Sequence, residues 1–265
     1  MSDICNILFL GDVFGKTGRK VLKNHLQELK KEFNAGLVIA NGENACHGNG
    51  INQKSFFEMT EAGVDVVTGG NHTFQNKEVF ELIEMDLPNM LIPANYPPGV
   101  PGNRHGIFKA GDLEILVINM HGRVLINKNF DSPFDAMEKL LKKFSDFKGP
   151  VIVDFHAEAT SEKRAFGMHF DGRITAIIGT HTHIQTADER IQPGGTAYIT
   201  DAGMCGAYDS VIGITLESVI DNFLYELPTR FEVSPSAPSI QGVVVNFDRA
   251  AGKASKIERV LKIYR

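Results

Sequence analysis

Five short segments of this chain each end an apolar run with side chains that bind hard or borderline metal ions. They are Gly11-Asp12, Gly42-Glu43-Asn44, Gly69-Gly70-Asn71-His72, Asp154-Phe155-His156 and Gly179-Thr180-His181-Thr182-His183. Carboxylates, carboxamides and imidazoles thus collect just beyond apolar runs that read as strands. Such a set suits two divalent ions, and a pair of ions is a standard device for hydrolysing phosphate esters.

Each segment alone has a commoner structural reading. Gly11 and Gly15 let the backbone turn sharply and carry Asp12 over the strand ends, yet an isolated Gly-Asp is more often a capping turn. Glu43 can bridge two cations with its two oxygens, and Asn44 can add a neutral oxygen. By itself Glu43 reads as a solvated loop residue. Asn71 can offer its carbonyl oxygen to a metal while His72 protonates a departing oxygen, although an isolated Asn-His is more often a helix cap followed by a surface residue. His181 and His183, two apart, would face opposite ways on an extended chain, so a twisted loop is needed to aim both inward. Gly-x-His-x-His after Ile174–Ile178 is the most specific of the five, and His156 follows a similar apolar run. Ligands of α/β folds bind beyond the strand ends on one side of a sheet, so one shared site is more economical than five coincidences.

The elements that must position these residues alternate. Strands are expected at 5–10, 37–40, 64–67, 151–154, 174–178 and 197–200, with helices at 18–33, 53–62, 76–85 and 133–144. Leu22, Leu26, Leu29 and Phe33 recur at helical spacing opposite a lysine-rich face. Asp131-Ser132 are cap candidates ahead of Pro133. A Pro- and Gly-rich stretch at 93–106, expected at the rim of the site, precedes a hairpin of 106–110 and 113–119 turned at Gly111-Asp112. Residues 241–247 and 256–264 read as a closing antiparallel pair. This order predicts an α/β fold with parallel strands. No repeat or linker divides the chain, so residues 1–265 are expected to form one domain.

The 265 residues are 43% hydrophobic and 22% charged, with a net charge of −5. No run of basic residues suggests a groove for long nucleic acid. A small phosphorylated substrate stays compatible, because bound metals bring local positive charge. No stretch reaches the apolar length of a membrane span and the start carries no signal-peptide pattern, so a cytoplasmic enzyme with no membrane attachment is expected. Cys5, Cys46 and Cys205 are far apart and odd in number, which argues for buried thiols rather than a disulfide framework. Arg123 is in reach of a phosphate by its place in the chain but reads as a surface or structural residue. A homo-oligomer is possible, and no segment marks its interface.

The order Asp, carboxylate, Asn-His, His, Gly-x-His-x-His resembles that of the calcineurin-like metallophosphoesterases. More closely, Gly-Asp-Val-Phe-Gly, Asn-Gly-Glu-Asn-Ala, Gly-Gly-Asn-His-Thr-Phe, Asp-Phe-His-Ala-Glu-Ala-Thr-Ser-Glu-Lys and Gly-Thr-His-Thr-His-Ile-Gln-Thr-Ala-Asp resemble the bacterial YmdB family. The resemblance implies a four-layer α/β/β/α sandwich and phosphodiesterase activity toward small substrates such as 2′,3′-cyclic nucleotides. It implies two divalent or mixed-valence ions: Asp12, Glu43, Asn44 and His183 around one, and Glu43, Asn71, His156 and His181 around the other. Attack by a hydroxide between the ions and proton donation by His72 complete the implied chemistry. The wider superfamily has a histidine where this chain has Phe14, with Asn44 as the natural replacement. That oxygen ligand favours iron or manganese. The segment Cys205-Gly206-Ala207 departs from the family pattern. Two other readings compete: a metalloenzyme of the capsule-polymer (poly-γ-glutamate) type, and a cyclic-nucleotide sensor whose role is regulatory.

Overall fold

The computed structural model describes residues 4–248 and 252–265. Part of the turn expected between the last two strands, residues 249–251, lies outside the described residues.

Two six-stranded sheets carry the fold. The first holds β1 (Ile4–Val13), β2 (Ala35–Asn41), β3 (Val66–Thr68), β10 (Met204–Ala207), β11 (Pro238–Asp248) and β12 (Ala254–Ile263), in the order β12-β11-β10-β1-β2-β3. The second holds β4 (His105–Ala110), β5 (Leu113–His121), β6 (Val151–His156), β7 (Ala176–Thr180), β8 (Arg190–Ile191) and β9 (Ala197–Ile199), in the order β4-β5-β6-β7-β9-β8. Strands β1, β2 and β3 run parallel to one another, as do β5, β6, β7 and β9. Helices α1 (Gly15–Glu32), α2 (Gln53–Ala62) and α3 (Val79–Glu84) pack on the first sheet. Helices α4 (Pro133–Lys143) and α5 (Thr160–His169) pack on the second, and α6 (Ile220–Tyr225) buries none of its residues.

Strand alternation produces the layers, because successive side chains leave a strand on opposite faces. In β1, Leu8 and Leu10 join Leu22, Leu26 and Leu29 of α1, while Ile7 and Phe9 face the second sheet. In β5, Ile115 and Val117 face the first sheet, and Leu116, Ile118 and Met120 meet α4 and α5. Each of these buried side chains contributes about 1.5–3 kcal/mol. The result is the expected α/β/β/α sandwich, with three apolar layers between four layers of structure.

Most expected elements are present with shifted ends. α2 matches 53–62, opened by Asn52, whose side chain accepts from Ser55 N while the Ser55 hydroxyl bonds back. Ser132 caps α4 as expected. α3 is shorter than 76–85, because residues 71–78 fold as turns around the site. α5, α6, β8 and β10 have no counterpart among the expected elements. In α5 the buried positions include Glu162 and Lys163 beside Phe166, which breaks the apolar periodicity.

α1 begins one turn before Gly18, and the reason lies at β10. A Cβ on Gly18 would overlap the Cys205 carbonyl oxygen. Close approach of α1 to β10 therefore requires glycine here, and Cys205 is a buried strand residue under the helix. Glycine to alanine inside a helix ordinarily stabilises by about 1 kcal/mol. Gly18→Ala is expected to reverse that sign and cost about 1–3 kcal/mol through overpacking, read as a lower urea midpoint. An unchanged or raised midpoint would refute the close contact.

Candidate metal centre

All eight expected residues converge where the parallel strands of the two sheets end. Asp12 sits on β1, Glu43-Asn44 follow β2, Asn71-His72 follow β3, His156 ends β6, and His181 and His183 follow β7. The two-residue spacing of the last pair is resolved by the backbone. His181 and His183 adopt φ of 103° and 63°, so the loop is not extended and both rings turn inward.

The donor atoms are close. Ligand atoms of Glu43, His156 and His181 lie within 4.8 Å of one another. Glu43 Oε1 is 3.0 Å from His156 Nε2, and Glu43 Oε2 accepts from the His72 backbone N–H at 2.8 Å. Asn71 Oδ1 is 3.2 Å from His156 Nε2, which is 3.0 Å from His181 Nδ1. Asp12 Oδ2 accepts from the His181 backbone N–H at 3.0 Å. Its other oxygen, Oδ1, is buried with no hydrogen-bond partner among the described residues and faces His183 Nε2 at 3.7 Å. The Asn44 amide nitrogen is 3.1 Å from His183 Nε2 and its oxygen 2.8 Å from His72 Nδ1. Ligation through the Asn44 oxygen beside His183 calls for the amide to turn over.

Oxygen acceptors orient the three inner rings. His156 Nδ1 donates to Thr180 Oγ1 at 2.9 Å, and that hydroxyl donates to Asp154 Oδ1 at 2.6 Å. His181 Nε2 meets Glu158 Oε2 at 3.0 Å, and His183 Nδ1 meets the Ile212 carbonyl at 3.0 Å. Each ring thereby spends its outer N–H and turns its inner nitrogen to the centre, the arrangement metal-binding histidines use. An orphaned buried carboxylate oxygen and a set of oxygens and oriented imidazoles fit hard or borderline divalent ions.

Burial pushes the Glu43 carboxyl up, but His156 and His72 outweigh it and hold it well below the usual carboxylate range. Asp12 is likewise held low against burial by His183 and His156. Burial alone would lower His156, yet Glu43 and Asp12 raise it to about 9. Burial and the neighbouring His156 lower His181 to about 3. Burial also lowers His72, with Glu43 opposing.

Several supporting residues carry no signal of their own in the sequence. Asp154, raised to about 6 by burial, accepts from Thr68 Oγ1 at 2.5 Å, Asn41 Nδ2 at 2.9 Å and Thr180 Oγ1. It joins β2 and β3 of one sheet to β6 and β7 of the other. Lys163 is buried and donates to the Thr180 carbonyl at 2.7 Å and to Asp201 at 2.9 Å, while Asp201 accepts from Thr182. This ion pair anchors the loop that bears His181 and His183. The Pro-rich stretch reaches the site from behind: Tyr96 Oη donates to the Gly70 carbonyl at 3.2 Å. Arg123 is exposed, as expected of a residue outside the centre. Cys205 lines the core rather than a substrate surface, and burial pushes its thiol up to about 12.

Two stacked sheets with this donor set at their carboxyl ends define the metallophosphoesterase sandwich, which implies divalent metal ions. The sequence profile of the YmdB-like protein family matches residues 8–260, and the chain belongs to that family. It is 45% identical over 255 residues to a Bacillus subtilis (strain 168) protein named 2′,3′-cyclic-nucleotide 2′-phosphodiesterase, covering 96% of each chain. The crystal structure of a Mycoplasma pneumoniae protein described as a novel phosphatase superposes with a TM-score of 0.91 at 39% identity, covering 99% of this chain and 95% of that one. A hypothetical protein from Thermus thermophilus gives 0.90 at 36% identity, covering 98% and 100%.

The raised His156 carries a proton below about pH 9, and a metal ion bound at Nε2 would have to displace it. Metal uptake is therefore expected to release a proton at neutral pH and to tighten as pH rises toward 9. Calorimetry in two buffers of different ionisation enthalpy reads the proton directly. Buffer-independent binding heats would contradict the assignment.

Proposed function

We propose that the chain is a dinuclear metal-dependent phosphodiesterase acting on small phosphodiesters such as 2′,3′-cyclic nucleotides. The observation that carries this reading is Glu43: a fully buried carboxylate held charged, with the Asn44 amide and the His156 ring at its Oε1 and the His72 backbone N–H at its Oε2. Asp12, Glu43, Asn44 and His183 would hold one ion, and Glu43, Asn71, His156 and His181 the second. Iron or manganese suits this mixture of oxygens and imidazoles. When bound, the ions supply positive charge for the phosphate oxygens and make water a competent nucleophile near neutral pH.

The chain's own part is positioning and proton transfer. His72 Nδ1 is engaged by Asn44 Oδ1, and Nε2 has no partner among the described residues. The side chain is 36% exposed, so this nitrogen can reach a substrate. With the Asn44 amide turned over for ligation, its nitrogen would donate to His72 Nδ1 and leave the ring proton on Nε2, from which His72 would give it to the sugar oxygen as the bond to phosphorus breaks. The Bacillus subtilis relative's name points to the 2′ ester bond, which would leave a 3′-phosphate. A sensor has no use for a partly exposed proton donor beside the centre.

The test is hydrolysis of 2′,3′-cyclic AMP and of bis(p-nitrophenyl) phosphate by manganese-loaded protein. Glu43→Gln is expected to abolish turnover of both. His72→Ala should cut cyclic AMP turnover by about 10²–10⁴-fold and spare the nitrophenyl ester, whose leaving group needs no proton. Equal losses on both substrates would remove His72 as the acid. No wild-type turnover of either would remove the phosphodiesterase reading.

A further inference from the structure

His121, the last residue of β5, is wholly buried behind the centre and has no part in the ligand sets above. The β5–β6 register places it beside His156. Its backbone is clamped by Asn95, which accepts from its N–H at 2.9 Å and donates to its carbonyl at 2.7 Å. Its ring stacks on Phe130, with centroids 4.0 Å apart and planes 8° from parallel. These contacts hold the plane of the imidazole, and the Gly122 carbonyl sets which nitrogen faces outward.

That orientation fixes its tautomer. Nδ1 lies 2.5 Å from the Gly122 carbonyl oxygen, which can only accept, so the ring proton is on Nδ1. Nε2 then carries a lone pair and points at Asn71 Oδ1, 3.3 Å away. The same oxygen lies 3.2 Å from His156 Nε2, whose outer nitrogen is spent on Thr180. Asn71 Oδ1 therefore has an imidazole nitrogen on each of two approaches, at 3.3 and 3.2 Å, and a cation drawn in beside that oxygen would satisfy all three donors. Turning the Asn71 amide over would give His121 a donor, but it would take the Asn71 oxygen out of the centre.

The construction repeats that of the expected ligands. His156, His181 and His183 each hand one N–H to an oxygen outside the centre and turn the other nitrogen inward. His121 does the same from the end of a neighbouring parallel strand. An outer N–H on a backbone carbonyl is a common partner of a ligating imidazole.

We propose that His121 Nε2 is a further ligand of the ion held by Glu43, Asn71, His156 and His181, an inference that rests on the two-metal reading. With five protein donors, that ion has little room for solvent or substrate and is the more tightly held of the two. Open positions then lie mainly at the Asp12, Asn44 and His183 side, beside His72.

Cobalt(II) titrated into the metal-free, full-length protein tests this. Each imidazole bound to cobalt shows one exchangeable, strongly shifted N–H proton resonance in water. The wild type is expected to show one such signal more than His121→Gln. The variant should also bind one of its two cobalt ions at least about 10-fold more weakly. Identical sets of shifted signals and identical affinities would overturn the proposal while leaving the two-metal reading intact. Wild-type protein that takes up cobalt without any shifted imidazole signal would overturn both. Absence of the extra signal from the wild type decides against the proposal even if the variant does not fold.

Discussion

Glu43 is a charged carboxylate with none of its surface in water. Such a group costs several kcal/mol unless its oxygens are fully engaged. Its surroundings follow from that requirement. The His72 backbone N–H, the Asn44 amide and the His156 ring all approach it. Gly70 has to be glycine, because a Cβ there would overlap Glu43 Oε2 and the His156 ring. In the proposed reading, two metal ions sharing this carboxylate would supply the remaining compensation, so the demand that shapes the centre would also be what makes it bind cations.

The constraint extends to how the sheets stack. Over most of their area they meet through apolar side chains such as Phe9, Ile39, Val117 and Ile178. At the carboxyl ends the contact becomes polar. Asp154 joins the sheets through Asn41, Thr68 and Thr180, Asp12 accepts from His181, and Gly69 N donates to Asn119 Oδ1. Buried polar groups tolerate few arrangements, because each lost partner costs about 1–3 kcal/mol. The network therefore fixes the register of one sheet against the other, and the residues of the centre inherit that register.

Much of this is legible in the sequence. The segments ending in Asp12, Glu43-Asn44, Asn71-His72, His156 and His181-x-His183 all reach one centre, since a polar ligand after an apolar run marks a strand end wherever the run lies. His121 obeys the same rule after Leu113–Met120, but Asn119 interrupts that run and hides the last two residues of the strand. Asp154 lies inside its motif with no visible role, for the strand pattern does not reveal a carboxylate shared between sheets. α5 is hidden by Glu162 and Lys163 on its buried face, where pairing with backbone N–H groups and Asp201 replaces apolar packing. α6 has no buried face and β10 is four residues long, so neither offers a period to read.

The central claim is that two ions share Glu43 across the join of the sheets. Anomalous X-ray diffraction from crystals of the manganese-loaded protein, recorded at the manganese edge, tests it most directly. The account predicts two peaks flanking the Glu43 carboxylate, one toward Asp12 and His183 and the other toward Asn71 and His156. A single peak, or manganese bound only away from Glu43, would contradict it.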